Sequence, residues 1–208
     1  MKILLIFIFF LLPSIFFSGC SYNNSSVNSN SGQTPAGYSG NSGGYPAVLE
    51  SSTRKAIIYN QLDTVMYIGA TYFNRPFITA YTEKYASLYL LDKGQTETLL
   101  SKSLSGMKKY VKIFASIHTP KKAYNDLGSD RSIWKVYLES SQNIKEKPLS
   151  ILPPPWKKKF LMRFFPYVSY WSKQYVFKFS PSIITPGTKW IKLIITGVNG
   201  TVTLKWNL

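Results

Sequence analysis

The chain has 208 residues, with 25 Lys or Arg against nine Asp or Glu, and its formal net charge is +16. Its single cysteine excludes a disulfide within the chain, and its single histidine, His118, is the only imidazole for a catalytic triad or a hydrolytic metal site. The basic excess makes an anionic partner physically plausible.

The N-terminal twenty residues combine a basic start at Lys2, an apolar run from Ile3 to Phe17, and Ser18-Gly19-Cys20. This order is typical of a secretory signal with small residues before its cleavage point. It resembles the lipobox of bacterial lipoproteins, although Phe17 stands where that pattern has Leu. The resemblance implies removal of residues 1–19, acylation of Cys20 with palmitate-type chains, and a stable membrane anchor.

Two alternatives to lipidation follow from the same segment. The apolar run is shorter than the roughly 20 residues that a membrane-spanning helix needs, and it contains Pro13. A retained helix is therefore less favoured than cleavage, as is a secretory signal that leaves Cys20 unmodified. With Ser21 instead of Asp next, the chain resembles lipoproteins sorted to the outer membrane in enteric-type bacteria. We expect a lipid-anchored cell-envelope location, at the outer membrane if the host has two membranes.

Residues 21–46 are rich in Ser, Asn and Gly and carry no charge. Such a segment buries too little apolar surface to offset the entropy of ordering it, so Cys20 and residues 21–46 are predicted to form a flexible tether. Random-coil scaling gives this tether a reach of about 25–30 Å. Residues 47–208 are long enough for a single globular domain with a sizeable core.

The first elements predicted in this domain are a strand and two helices. Strand Asp63–Phe73 alternates between two apolar faces. Pro76 suits the first turn of a helix. Its core-facing residues at helical spacing are Phe77, Tyr81, Tyr85 and Leu88. Thr96 is expected to cap the second helix. The apolar stripe of that helix is Leu100, Leu104, Met107 and Val111.

Further strands follow in the second half of the chain. They are predicted at Tyr110–His118, Ile133–Glu139, Lys173–Phe179, Trp190–Thr196 and Thr201–Trp206. Between the last two, Gly197-Val198-Asn199-Gly200 predicts a tight type I′ hairpin turn. The pattern indicates an α+β fold that is mainly β, an antiparallel β-sandwich of about six strands with a two-helix insertion after the first strand.

Three parts of the domain resemble a group of uncharacterised bacterial envelope lipoproteins. They are Ser132–Leu138, the aromatic block Phe164–Trp171 with Tyr175–Phe179 behind it, and the closing hairpin. The resemblance covers most of the chain from about Asp63 onward. It implies an envelope location and a β-rich fold, and no catalytic residue comes with it.

Catalytic and metal-binding patterns are scarce. Asn125–Asp130 lacks most ligands of a calcium loop, so a turn is favoured over a metal site. There is no phosphate-binding Gly-x-x-x-x-Gly-Lys loop, no Gly-x-Gly-x-x-Gly and no Gly-x-Ser-x-Gly elbow. We therefore expect no catalytic residue, no cofactor and no bound metal. An enzyme would have to use His118, Asp126 or Asp130.

The densest local feature is a basic and aromatic segment between Pro153 and Pro166. Its candidate contact residues are Trp156, Lys157, Lys158, Lys159 and Arg163. In such a segment, rings contact a membrane interface or the apolar side of a glycan, and lysines contact phosphates. Core packing of Trp156, with the lysines in solvent, is the alternative.

These observations favour a non-enzymatic, lipid-anchored binding or assembly component of the cell envelope. Its expected partners are the membrane through Cys20, anionic lipid, lipopolysaccharide or peptidoglycan, and envelope proteins. Export argues against a nucleic-acid partner. One alternative is an envelope enzyme acting on peptidoglycan or polysaccharide. Another is an accessory lipoprotein of a secretion or surface-structure complex, which would use an exposed sheet edge for strand addition.

Overall fold

Two antiparallel sheets built from nine strands form the centre of the computed structural model, which describes residues 44–208. The strands are β1 (Thr53–Asn60), β2 (Asp63–Tyr72), β3 (Val111–His118), β4 (Trp134–Ser140), β5 (Lys145–Glu146), β6 (Ser150–Leu152), β7 (Lys173–Phe179), β8 (Trp190–Gly197) and β9 (Gly200–Asn207). The larger sheet has the order β1-β2-β3-β7-β6, and the smaller has the order β5-β4-β8-β9. The predicted signal segment, Cys20 and most of the predicted tether lie outside the described residues.

Four α-helices accompany the sheets within residues 44–208. They are α1 (Tyr45–Ser52), α2 (Arg75–Tyr89), α3 (Lys93–Met107) and α4 (Lys158–Phe164), with short 3-10 turns at Lys122–Tyr124 and Pro181–Ile183. The predicted mainly-β α+β fold with a two-helix insertion is confirmed. The strand that was predicted to be the first of the domain is its second strand, β2, because β1 precedes it in the chain. None of the helices in this part of the chain has the length and apolar character needed to cross a bilayer.

The inter-sheet core lies between the two sheets. It is formed by the side chains that point inward from each sheet, since successive residues of a strand face opposite sides. In β3, Ile113, Ala115 and Ile117 face this core and are fully buried. Leu138 from β4 meets them from the smaller sheet and is also fully buried. The strands predicted at Tyr110–His118 and Ile133–Glu139 are therefore confirmed as β3 and β4, to within one residue at each end.

The sandwich closes along one side where β1 lies beside β9. Arg54 Nε donates a hydrogen bond to the carbonyl oxygen of Lys205 at 2.8 Å. The indole Nε1 of Trp206, buried in the inter-sheet core, donates to the carbonyl oxygen of Ser52 at 2.8 Å. These bonds join the two sheets at the edges that β1 and β9 would otherwise leave open.

A second cluster, the aromatic cluster, packs on the outer face of the larger sheet. Its aromatic members are Tyr45, Phe73, Phe77, Tyr81, Tyr85, Phe114, Phe160, Phe164, Phe165 and Tyr167. Tyr167 lies flat against β2 because Gly69 has no side chain: a Cβ at that position would lie 2.6 Å from the Tyr167 ring. The Tyr167 hydroxyl is hydrogen-bonded to Thr71 Oγ1 at 2.6 Å. The structure is therefore layered as helices, larger sheet and smaller sheet.

Helix α3 differs from its prediction. Its N-cap is Asp92, whose side chain accepts a hydrogen bond from the Gln95 amide at 2.8 Å, while Gln95 Oε1 accepts from the Asp92 amide at 3.1 Å. This capping box begins the helix before Thr96, so Thr96 as the cap is wrong. No residue of α3 is fully buried, and Val111 belongs to β3, so the predicted core stripe is wrong as well.

Helix α2 agrees with its prediction except at its end. The Asn74 side chain caps it by accepting from the Phe77 amide at 2.8 Å, and Pro76 lies in the first turn. Three of the four predicted stripe residues pack in the aromatic cluster. The fourth, Leu88, is exposed, because the helix end extends past the cluster.

The predicted tether extends too far at its C-terminal end. Tyr45 and Pro46, assigned to it from composition, begin α1. The Tyr45 ring lies edge-on to Phe164 at 6.2 Å, and its hydroxyl donates to the Phe164 carbonyl oxygen at 2.8 Å. One aromatic residue with a buried partner therefore orders the start of the domain.

The β8–β9 hairpin is confirmed, but its turn type is not. Gly197 pairs with Gly200, which leaves Val198 and Asn199 as the two central residues. A type I′ turn needs positive φ at both central residues, and within this turn only Gly200 has one, at +127°. The predicted type I′ turn is therefore wrong, because neither Val198 nor Asn199 has a positive φ.

Candidate functional site

Helix α4 carries most of the predicted contact residues. Leu161 and Phe164 on its inner side are buried in the aromatic cluster. Lys159 and Arg163 are four residues apart, so they lie on one face of the helix, and both are exposed. Lys157, also exposed, is the N-cap residue. Three of the four predicted cations are therefore presented to solvent.

Lys158 has a structural role that the sequence did not show. Its Nζ donates hydrogen bonds to the carbonyl oxygens of Tyr170 at 3.0 Å and Ser172 at 2.9 Å. These carbonyls belong to the loop that precedes β7. Lys158 therefore holds this loop against α4, and its ammonium group is not one of the predicted ligand contacts.

Trp156 begins a row of rings, which we call the aromatic ridge, whose two ends are exposed and whose two central rings are half-buried: Trp156, Phe160, Tyr85 and Tyr89. Trp156 stacks on Phe160, with ring centroids 5.8 Å apart and an interplanar angle of 22°. Phe160 contacts Tyr85 of α2 at 6.3 Å, and Tyr85 stacks on Tyr89 at 4.4 Å. The two ends of the row, Trp156 and Tyr89, are 39% and 53% exposed.

The α2 half of the aromatic ridge was missed by the sequence analysis. Tyr85 was predicted as a core residue, and Tyr89 was not singled out. The signal was present, because tyrosines four residues apart stack on one helix face. The sequence could not show that rings of α2 and α4, which are separated by α3 and the strands β3 to β6, are in contact.

Opposite charges do little to neutralise the cations of this surface. Lys192 Nζ and Glu139 Oε1 form an ion pair at 2.8 Å, which lies outside α4. Several lysines place their ammonium groups 4.7–5.4 Å from the centroid of an aromatic ring: Lys112, Lys121, Lys145, Lys173, Lys178, Lys192 and Lys205. Lys157, Lys159 and Arg163 form no ion pair in the described part of the chain. Their charge is available to a ligand.

None of the residues considered for catalysis, His118, Asp126 and Asp130, belongs to α4 or to the aromatic ridge. His118 Nδ1 is 3.3 Å from the carbonyl oxygen of Trp171. Asp126 Oδ1 accepts a hydrogen bond from Ser132 Oγ at 2.8 Å, as in a structural turn. Between Gly44 and Leu208, no three His, Cys, Asp or Glu side chains come together in a metal-binding group.

A shallow cleft of about 300 Å³ opens between β4 and β6. Its floor includes Trp134, Val136 and Ile151, and its rim carries Asp130 and Lys147. Strand addition would have to use the neighbouring edges, but β6 has three residues and β5 has two. These edges are short for the long backbone ladder that strand addition requires.

No protein-family model matches this sequence, and a search of the curated proteins gives no match. One solved structure that is similar is that of a novel protein of unknown function from Burkholderia pseudomallei. It shares 9% identity with this chain, and the likeness covers 78% of this chain and 81% of that one with a TM-score of 0.37. A likeness of this size supports no statement about function.

Proposed function

We propose that this protein is a lipid-anchored, non-enzymatic component of the bacterial cell envelope that binds an anionic envelope glycan. The observation that carries this proposal is the exposed aromatic ridge with unpaired cations beside it. The surface is composed of residues from α2 and α4 that are fixed from below by the aromatic cluster. A surface held in this way loses little conformational entropy when a ligand binds.

The chemistry of the surface fits a polymer with both sugars and anions. Ring faces such as those of Trp156 and Tyr89 bind the apolar faces of sugars. Lys157 and Lys159 contact phosphate or carboxylate groups as flexible point charges. Lipopolysaccharide and peptidoglycan both combine these features. The low Arg content matches a surface that attracts anions without fixing a bidentate geometry.

The net charge of the domain supports the same partner class. Every Lys and Arg except Lys2 lies after Pro46, and so do all nine acidic residues. The domain therefore has a large positive excess, which raises the local concentration of anionic polymers near it. The proposed anchor at Cys20 would keep the domain in the compartment where these polymers occur.

The proposed contact cations are tested with the full chain in zwitterionic detergent micelles and soluble lipopolysaccharide or peptidoglycan fragments. The variant is Lys157→Gln/Lys159→Gln/Arg163→Gln. With about 1 kcal/mol per cation near an anionic surface, we expect a loss of affinity on the order of 100-fold at low salt, and a flatter salt dependence.

The matched control changes three exposed lysines at or beside α3, as Lys93→Gln/Lys102→Gln/Lys108→Gln. It lowers the net charge by the same amount but leaves the ridge intact. Equal losses of affinity in the two variants would show that net charge alone binds the polymer, and the proposed surface would be rejected.

The proposed anchor is tested by mass spectrometry of the protein purified from bacterial envelopes. We expect residue 20 to be the N-terminal residue and to carry acyl chains, and we expect Cys20→Ala to abolish incorporation of labelled palmitate. An unmodified thiol or an intact segment 1–19 would contradict the proposal.

A further inference from the structure

The β1–β2 hairpin extends past the strand beside it. Its pairing begins at Asn60 with Asp63, whereas the pairing of β2 with β3 begins only at Tyr67 with His118. The four residues 63–66 therefore lie beyond the end of β3. At about 3.3 Å per residue, the hairpin projects roughly 13 Å further than its neighbour.

The β8–β9 hairpin lies next to this projection. Gly200, which closes the turn of this hairpin, lies so close to β1 that a Cβ there would be 2.7 Å from Ile58 Cγ2. Since Ile58 is near the projecting end of β1, both hairpin tips lie at the same end of the sandwich.

A third loop reaches the same end. It leads into β7, whose first residue, Lys173, pairs with Ile117, the residue before the end of β3. Two contacts fix the loop: Lys158 Nζ donates to the Tyr170 carbonyl oxygen at 3.0 Å, and His118 Nδ1 lies 3.3 Å from the Trp171 carbonyl oxygen. These contacts hold the loop by its backbone, while the side chains of Tyr170 and Trp171 stay exposed.

These three segments carry the most exposed apolar side chains at this end, which we call the apolar tips. They are Leu62 (98% exposed), Val198 (87%), Trp171 (79%), Tyr170 (65%) and Tyr59 (61%). Within residues 44–208, five of the seven large apolar side chains that are more than 60% exposed lie here. Single exposed apolar residues are ordinary, but their concentration at one end marks an interaction surface.

We propose that the apolar tips insert into the headgroup region of the membrane to which the protein is anchored. This inference rests on the proposed function, because it takes the anchor at Cys20 as given. Trp and Tyr favour the interface between lipid and water, since each has an apolar body and a polar group. Leu62 and Val198, at the ends of the two hairpins, reach toward the acyl chains.

A bilayer fits these tips better than a protein partner does. The tips come from three separate loops that project individually, and a fluid bilayer accepts such a shape without a complementary groove. Lys121 and Lys122, both exposed, follow the end of β3 and can meet anionic headgroups.

Because of the proposed anchor and the predicted tether, the apolar tips need only a weak affinity for the membrane to insert. Residues 21–43 lie between Cys20 and the described domain, and the tether predicted from their composition would have a root-mean-square reach of about 30 Å. The local concentration of lipid around the tips is then high, so they need little affinity of their own. Insertion would give the anchored domain a fixed orientation.

The test uses the full lipidated chain in phosphatidylethanolamine and phosphatidylglycerol vesicles that contain brominated lipid, which quenches nearby indoles. The contribution of Trp171 is the difference in fluorescence between the wild type and Trp171→Phe. We expect bromine to quench at least half of this contribution. The matched control is Trp156→Phe, and we expect the Trp156 contribution to be quenched by less than a tenth.

A second variant, Leu62→Asp/Val198→Asp, places charges on the two hairpin tips at positions that are almost fully exposed. We expect it to remove the quenching of Trp171 while lipopolysaccharide binding stays unchanged. Quenching of Trp171 that is no greater than that of Trp156, or that persists in this variant, would overturn the inference. Quenching that rises with protein density at constant lipid would indicate self-association of the tips and would also overturn it.

Failure of the anchor itself gives a different result. If Cys20 is not acylated, the chain does not co-sediment with vesicles in high salt. If the anchor is present and the inference is wrong, the chain co-sediments but the Trp171 contribution is not quenched.

Discussion

The inter-sheet core and the aromatic cluster are built on opposite faces of the same sheet, from different residues and in different ways. The inter-sheet core is composed mainly of aliphatic side chains from strands that alternate in and out. The aromatic cluster collects rings from helices and loops and one, Phe114, from β3, with Tyr45 and Tyr167 as its first and last tyrosines in the sequence. The inter-sheet core is enclosed between the two sheets, whereas the aromatic cluster continues to the surface as the aromatic ridge.

This difference assigns separate roles to the two faces of the larger sheet. The inter-sheet core fixes the β-sandwich. The aromatic cluster supports the surface that we propose binds a ligand, because Phe160 belongs to the cluster and also stacks on Trp156. Damage to the cluster should therefore affect stability and binding together, whereas damage to the core should affect stability alone.

Alkaline pH should weaken the aromatic cluster most strongly. Burial raises the pKa of Tyr45, Tyr81 and Tyr167 above the ordinary value of 10.0. Their contribution is fully present below pH 10 and is lost as the pH rises toward the folded-state pKa, because the unfolded chain releases these protons first. At about 1.4 kcal/mol per pH unit for each phenol, these three together should lower the free energy of unfolding by up to about 4 kcal/mol per unit.

The measurement is denaturant unfolding between pH 8 and pH 11, with phenolate absorbance followed in parallel. Burial also raises the pKa of Tyr175 in the inter-sheet core, so Tyr81→Phe removes one of at least four such phenols and should reduce the slope by up to about a quarter. If all tyrosines ionise near pH 10 while the protein stays folded, the assignment of these buried phenols is wrong.

A matched pair of truncations separates the two regions. Phe165→Ala in the aromatic cluster and Phe177→Ala in the inter-sheet core each remove a ring that is at most 1% exposed. Each should cost about 3–5 kcal/mol in the free energy of unfolding. Only Phe165→Ala should also weaken lipopolysaccharide binding, measured under conditions where both variants are folded. Equal effects on binding would mean that the ridge does not depend on the cluster beneath it.

A smaller effect is expected at the contact between β2 and the cluster. Gly69→Ala would place a Cβ 2.6 Å from the ring of Tyr167, so that ring must move. Overpacking of this kind costs about 1–3 kcal/mol. The control is Gly106→Ala in α3, where a Cβ meets nothing within 4 Å and helix propensity should add about 0.5–1 kcal/mol. Thermal unfolding of the two variants should shift in opposite directions.

The strands of the inter-sheet core were predictable because their period is visible in the sequence. β7 has the predicted bounds Lys173–Phe179, and β3 differs from its prediction by one residue. β1 was missed because only Ile58 of its eight residues is buried, so it shows no alternation. Its place in the sheet depends on pairing with β2 and on the contacts with β9, which a local pattern does not contain.

The candidate site was predictable only in part. Trp156 and the neighbouring cations were found from their density in the sequence. The different role of Lys158 depends on a loop twelve residues further on, and the contribution of Tyr85 and Tyr89 depends on the packing of α2 against α4. Both are tertiary contacts, and no spacing rule within one helix predicts them.

The hydrogen bond from the Tyr45 hydroxyl to the Phe164 carbonyl oxygen has a mechanical consequence. Tyr45 is the first residue of α1, and Phe164 is the last residue of α4. Tension applied from the N-terminal side therefore reaches the end of α4 before it reaches any strand. Tension from the N-terminal side and a ligand on the proposed binding surface would therefore both act on the short helix α4.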